Sequence, residues 1–159
     1  GGYAGHSHKY KKAGGSGYMF RTATVQDFSA VTGACLLVKT SVWDEVKGLD
    51  EAFAVAFNDV DFCLRVRDAG YRIAWTPYAE LIHYESKSRG GDEKDPVKAA
   101  RFAAEQQRLY TIHGKENILD DPYYNPNLTR DREDFSESDD LRRLKEGRVT
   151  VRFRGGTLQ

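Results

Sequence analysis

The apolar positions change their period several times along the chain, and each change marks an element. Over residues 30–39 the run Ala34-Cys35-Leu36-Leu37-Val38 is continuously apolar and of strand length, which predicts a strand covered on both faces. Ser41 stands where a helix N-cap belongs, Val42, Trp43 and Val46 supply one apolar face, and Gly48 is a natural stop, so a short helix follows. From residue 59 to 69, Val60, Cys63, Leu64 and Val66 recur at helical spacing up to Gly70, which puts Asp59 and Asp61 at the start of a second helix. Residues 71–76 are aromatic and β-branched and end at Pro77, predicting a strand, and 79–84 reads as another extended piece. The Ser- and Gly-rich stretch 85–91 has the composition of a mobile loop. Asp95 and Pro96 then open a long helix, with Ala99, Phe102, Ala103, Gln106, Leu109, Tyr110 and His113 on one stripe up to Gly114.

The flanks are less patterned. Residues 1–27 are rich in Gly, Lys and His without sustained periodicity and read as a loop-rich segment. Residues 120–129 are rich in Pro and Asn, a composition suited to a rigid strap along the domain, and 130–147 mix charges densely with few apolar anchors. Residues 149–153 have the pattern of a last strand without an evident partner. The organisation expected is therefore a segment 1–27, an α/β unit 28–114 and an extended, partly disordered tail 115–159.

Composition narrows the partners. With 159 residues the chain can bury one core, and 24 basic against 24 acidic residues give no field that favours nucleic acid or a charged membrane. No apolar run approaches the ~20 residues of a membrane span, which suggests a cytoplasmic chain. Cys35 and Cys63 both lie in apolar patterns and are expected to be buried free thiols rather than a disulfide.

Candidate chemistry concentrates in the cluster Asn58-Asp59-Val60-Asp61 and in His83, 24 residues after Asp59. Carboxylates and an imidazole can hold a metal and move a proton, but acidic residues in a first helical turn also simply offset the helix dipole and cap open amides. Asp61 and Arg65, one turn apart, predict an ion pair on the helix surface. His6 and His8 are placed to chelate a metal but sit in a Gly-rich segment, and His113 suits a helix C-terminus.

The stretch VTGACLLVKTSVWDEVKGLDEAFAVAFNDVDFCLRVRDAGYRIAWTPYAELIHYESKSRG resembles the C-terminal half of the catalytic domain of inverting, family-2 glycosyltransferases of the GT-A type. DPYYNPNLTRDREDFS resembles the tail that follows this domain in many bacterial members. The resemblance implies the C-terminal portion of a Rossmann-like, nucleotide-diphospho-sugar transferase domain, an incomplete sheet flanked by helices. It implies transfer of a sugar from a nucleotide-sugar donor to a glycan or lipid-linked acceptor with inversion, in polysaccharide biosynthesis.

The family's base is the second acidic position of a Glu-Asp pair, which falls on Asp59; Asn58 replaces the first, removing a neighbouring carboxylate. By the same resemblance His83 is a metal ligand for Mn²⁺ or Mg²⁺, and Gly33, Ala34, Asn58, Asp61 and Trp75 line the acceptor side. In the loop, Ser88 and Arg89 offer donors suited to the donor diphosphate. Plainer roles stand beside these: backbone hydrogen bonding for His83, core packing for Gly33 and Trp75, a solvated surface charge for Arg89. The family's donor half, ending in an Asp-x-Asp metal element, is not matched in residues 1–29. That leads to the expectation of a fragment inactive alone, needing the donor half as partner, prone to self-association through exposed apolar surface, and cytoplasmic or peripheral to the inner membrane face. A non-catalytic sugar-binding or scaffold domain and a metal-dependent hydrolase using Asp59, Asp61 and His83 are the competing readings.

Overall fold

The computed structural model describes residues 5, 7–8, 14–82, 95–132 and 134–138, and all that follows concerns these. It is a mixed structure of helices and one small sheet. A 3-10 turn at Tyr18–Phe20 precedes β1 (Gln26–Asp27); a second 3-10 turn, Gly33–Cys35, precedes α1 (Thr40–Glu45) and α2 (Asn58–Asp68). β2 (Ala74–Trp75), α3 (Pro96–His113) and α4 (Lys115–Leu119) complete the order.

α2 is the central element because it has two apolar faces. Phe62, Cys63 and Val66 pack with Val42 of α1 and with Ile73, while Val60 and Leu64 pack against a second cluster of Phe53, Phe57 and Leu109. Each fully buried side chain of this size contributes about 1.5–3 kcal/mol, so α2 is fixed from both sides. Gly70, at φ 95°, ends the pattern near the expected point. α1 stops as expected at Gly48, whose φ is 62° and where a Cβ would lie 2.8 Å from the Trp43 ring. Trp43 accordingly packs on Gly48, and its ring centroid is 5.2 Å from that of Phe62. Its start differs from expectation: Lys39, not Ser41, is the N-cap, with its carbonyl accepting from Val42 and Trp43 N–H at 3.0 Å.

The expected strand over 30–39 does not form. Thr32 caps the 3-10 turn, and the chain beyond it runs extended without a ladder partner. Leu36 and Val38 face the α2 core while Leu37 is 98% exposed; the segment alternates, so only one face is covered. Cys35 is exposed, contrary to expectation, and Cys63 is buried; both thiols are free. The strand expected over 71–76 shrinks to β2, which pairs antiparallel with β1 in the register Gln26↔Trp75 and Asp27↔Ala74. Its partner thus comes from the segment read as loop. Arg72 closes the pair with two bonds to the Asp27 carboxylate, at 2.7 and 3.1 Å. Residues 79–82 are exposed and unpaired in any ladder.

α3 begins as predicted: the Asp95 carboxylate accepts from Val97 N–H at 2.9 Å and Lys98 N–H at 3.4 Å, and Pro96 occupies the first turn. Its buried face is rotated from the predicted stripe. Glu105 and Leu109 are buried while Ala99 and Ala103 are exposed, because the Glu105 carboxylate finds backbone donors inside. α4, which the sequence pattern did not reveal, adds Ile118 to the second cluster. The Pro- and Asn-rich segment is tied back through Ser29 Oγ to Asp121 at 2.6 Å and Arg21 to the Tyr123 carbonyl at 3.1 Å. Leu128 bridges Glu137, and Phe135 stacks on Tyr18 with centroids 4.9 Å apart, an apolar anchor in the charged stretch. Residues 139–159, including the strand expected at 149–153, lie outside the described residues. Among the described residues no helix is long and apolar enough to cross a membrane.

Candidate functional site

Asp59 occupies the first turn of α2, where the helix start favours negative charge. Its Oδ2 accepts from Gly33 N–H at 2.8 Å and its Oδ1 from Val60 N–H at 2.9 Å. A carboxylate has about four acceptor positions, so two remain for another donor. The side chain is half-buried beside exposed Gly33 and Ala34, which leaves it reachable from solvent. Gly33 has a defined reason to lack a side chain: a Cβ there would sit 3.3 Å from the Asp59 Cβ. The close approach that glycine permits is thus to the carboxylate itself. Asn58 turns its Oδ1 to the Asp59 N–H at 2.8 Å and so caps the helix start locally.

That start is held in an uncommon backbone conformation. Phe57, the N-cap, is left-handed at φ 64°, a geometry that costs a bulky residue energy and persists where packing over-determines it. Its ring packs 5.0 Å from Phe102 and within the cluster of Phe53 and Leu109. Just upstream, Glu105 of α3 accepts from Ala56 N–H at 2.7 Å and Val55 N–H at 3.3 Å.

Asp61 requires a correction. The expected pair with Arg65 exists, at 2.8 Å from Nε, but Asp61 is 1% exposed and the pair is not on the surface. Its other oxygen meets His113 Nε2 at 2.8 Å, and Arg65 continues to the carbonyls of Val46 and Gly48 at the end of α1. Asp61 therefore ties α2 to α3 and, through Arg65, to the end of α1 from inside. His113, expected only to complement the helix dipole, is a member of this network. Its partner is 52 residues away, and no local pattern signals the contact.

Trp75 is half-buried, edge-on to Phe28 at 6.2 Å between centroids. His8 is engaged in packing: its Nε2 accepts from Tyr18 N–H at 3.0 Å and its ring lies 4.7 Å from that of Phe135. Burial raises the Cys63 thiol above its ordinary range, consistent with an inert core position. His6, His83, Ser88 and Arg89 lie outside the described residues. Among the described residues no three His, Cys, Asp or Glu side chains converge as metal ligands.

The chain is similar to proteins of glycan biosynthesis. No family model and no solved structure matches it. It is 33% identical to the O-antigen biosynthesis protein RfbC of Myxococcus xanthus over 80% of this chain and 10% of that protein. It is 35% identical to the N-acetylglucosaminyl-diphospho-decaprenol L-rhamnosyltransferase of Mycobacterium tuberculosis over 50% of this chain and 24% of that enzyme. Identity reaches 48% with the uncharacterized protein y4gI of Sinorhizobium fredii (strain NBRC 101917 / NGR234), over 85% of this chain and 15% of y4gI. The chain thus spans a quarter or less of the length of each of these relatives.

Proposed function

We propose that this chain carries the acceptor side and the general base of an inverting, family-2 glycosyltransferase of GT-A type, acting in polysaccharide biosynthesis. The observation that supports this best is the Asp59 carboxylate: fixed at a helix start by Gly33 N–H, open to solvent on one side, with acceptor positions to spare. An acceptor hydroxyl gives its proton to Asp59 as its oxygen forms a bond to the anomeric carbon of the donor. The bond from that carbon to the diphosphate breaks, and the nucleoside diphosphate leaves with the electron pair. Direct displacement inverts the anomeric centre. General base assistance of this kind contributes about 10²–10⁴ in rate.

Gly33, Ala34 and Asn58 form the rim around the carboxylate, and Trp75 is proposed as an aromatic surface for a sugar ring. His83 would help hold a divalent cation, which would supply charge stabilisation for the departing diphosphate, and Ser88 and Arg89 would contact that diphosphate. The relatives' names favour a rhamnosyl or related hexosyl group and a lipid-linked or glycan acceptor.

The test is to assay the full gene product carrying this sequence for nucleoside-diphosphate release from a panel of nucleotide sugars with Mn²⁺, and to read the product's anomeric configuration by proton NMR. Release with inverted configuration is the expected result. Sugar binding without nucleotide dependence or release favours the non-catalytic module, and a retained configuration contradicts direct displacement.

A further inference from the structure

The geometry points to Glu105 and His113, both on α3, as positioning residues for Asp59, an inference that rests on the reading of Asp59 as the base. The two lie on one face of α3, eight residues apart, or roughly 12 Å at about 1.5 Å per residue. Between them they take hold of the chain on both sides of Asp59. Glu105 accepts the N–H groups of Val55 and Ala56, four and three residues before Asp59, and His113 binds the Asp61 carboxylate two residues after it. Phe102 and Leu109, on the same stripe, pack on Phe57 at the turn itself.

The arrangement explains otherwise costly features together. Glu105 is 5% exposed and Asp61 1%, and a charge buried for stability alone is a poor bargain against an apolar side chain of the same shape. The left-handed Phe57 adds strain at the same turn. What these costs achieve is a fixed direction for the first turn of α2, so that the Asp59 carboxylate meets Gly33 N–H at 2.8 Å and keeps its remaining acceptor positions outward. Asp61 is not a spare carboxylate of the site; it is the handle by which α3 holds it. α3 thus acts as the back of the site without touching substrate.

The test compares His113→Ala, Glu105→Ala, His113→Gln and Glu105→Gln in the full gene product. Hydrogen–deuterium exchange read by mass spectrometry reports the amides of residues 33 and 60, which Asp59 accepts, with the amide of Gly70 at the far end of α2 as control. The expected result in the alanine variants is exchange about tenfold faster at 33 and 60, the loss of roughly one hydrogen bond, with Gly70 unchanged. Release of nucleoside diphosphate from a rhamnose-bearing nucleotide sugar should fall about 100-fold in kcat with KM unmoved, as for a misplaced catalytic group. His113→Gln, which can still donate to Asp61, should recover most of both. Unchanged exchange at 33 and 60, or a change that Gly70 shares equally, overturns the inference. If an alanine variant does not fold, the glutamine pair decides: Glu105→Gln, which loses one acceptor, must loosen residue 33 more than His113→Gln does, and equal behaviour overturns it. Asp59→Asn run in parallel separates the two claims. Full turnover in that variant removes the base, whereas loss of turnover with an undisturbed residue 33 in the α3 variants removes only the positioning role.

Discussion

Asp59 and Asp61 are two residues apart on one helix and have opposite fates, and the difference lies in what each oxygen meets. Asp59 takes two backbone donors and stays half open; Asp61 is enclosed and meets Arg65 and His113. Removing the Asp61 carboxylate leaves a guanidinium and an imidazole without their partner in a buried setting, and breaking such a pair typically costs about 3–5 kcal/mol. Asp61→Ala should therefore lower the midpoint of urea unfolding sharply, while Asp59→Asn, at a partly open position, should leave it nearly in place. Equal losses in the two variants contradict this division. At this scale the sequence was legible where the signal is local. The helix start at residues 58–61 and its acidic turn follow from periodicity alone, and so does the bond of Asp61 to Arg65 one turn on. The depth of that pair was not legible, because burial depends on α3, and the partner His113 lies 52 residues on, in a different helix. Gly33 was expected on the acceptor side or in the core; that it lies against Asp59 is seen only in the fold.

The longer helices were readable and the pairing of strands was not, for the same physical reason. A helix is stabilised by contacts within its own few turns and advertises its ends through caps, so Asp95, Pro96 and Gly114 bracketed α3, and Gly70 bounded α2. A strand depends on a partner elsewhere in the chain. The apolar run at 34–38 has the composition of a covered strand, yet among the described residues nothing pairs with it, and β2 pairs with a segment that has no strand pattern at all. The rotated face of α3 is a milder case: Glu105 is buried by a bond to residues 55 and 56, which hydrophobic periodicity cannot announce. The N-cap itself offers a quantitative check. Asp95→Ala removes the acceptor for Val97 and Lys98 N–H and should cost about 1 kcal/mol, seen as a shift in the urea midpoint without a change in slope; no shift contradicts the capping role.

At the scale of the whole molecule, the surface carboxylate of Asp50 joins the connection between α1 and α2 to α3. Arg108 on α3 bonds to Asp50, which also accepts from Ala52 N–H; together these hold the Asp50 carboxyl below its ordinary range. Asp134 is lowered likewise by the hydroxyl and N–H of Ser136. A lowered carboxyl stabilises the fold at pH values above its ordinary range and loses that contribution as the pH falls through it toward the folded value. Tm should therefore decline as the pH drops below about 4, and Asp50→Asn should flatten part of that decline; an unchanged slope contradicts the contribution of the Asp50 pair. Among the described residues the same surface exposes Leu37, Tyr78, Leu81, Ile82 and Val97. The mixture of helices with short extended segments was legible from the order of patterns, whereas the tie of residues 121–138 back to Arg21, Ser29 and Tyr18 was not, because side chains distant in sequence make it. The most direct measurement is kcat for nucleoside-diphosphate release at saturating nucleotide sugar in the full gene product, wild type against Asp59→Asn. A loss of about 10²–10⁴-fold with the fold intact is the expected result; a variant that turns over at the wild-type rate contradicts Asp59 as the base.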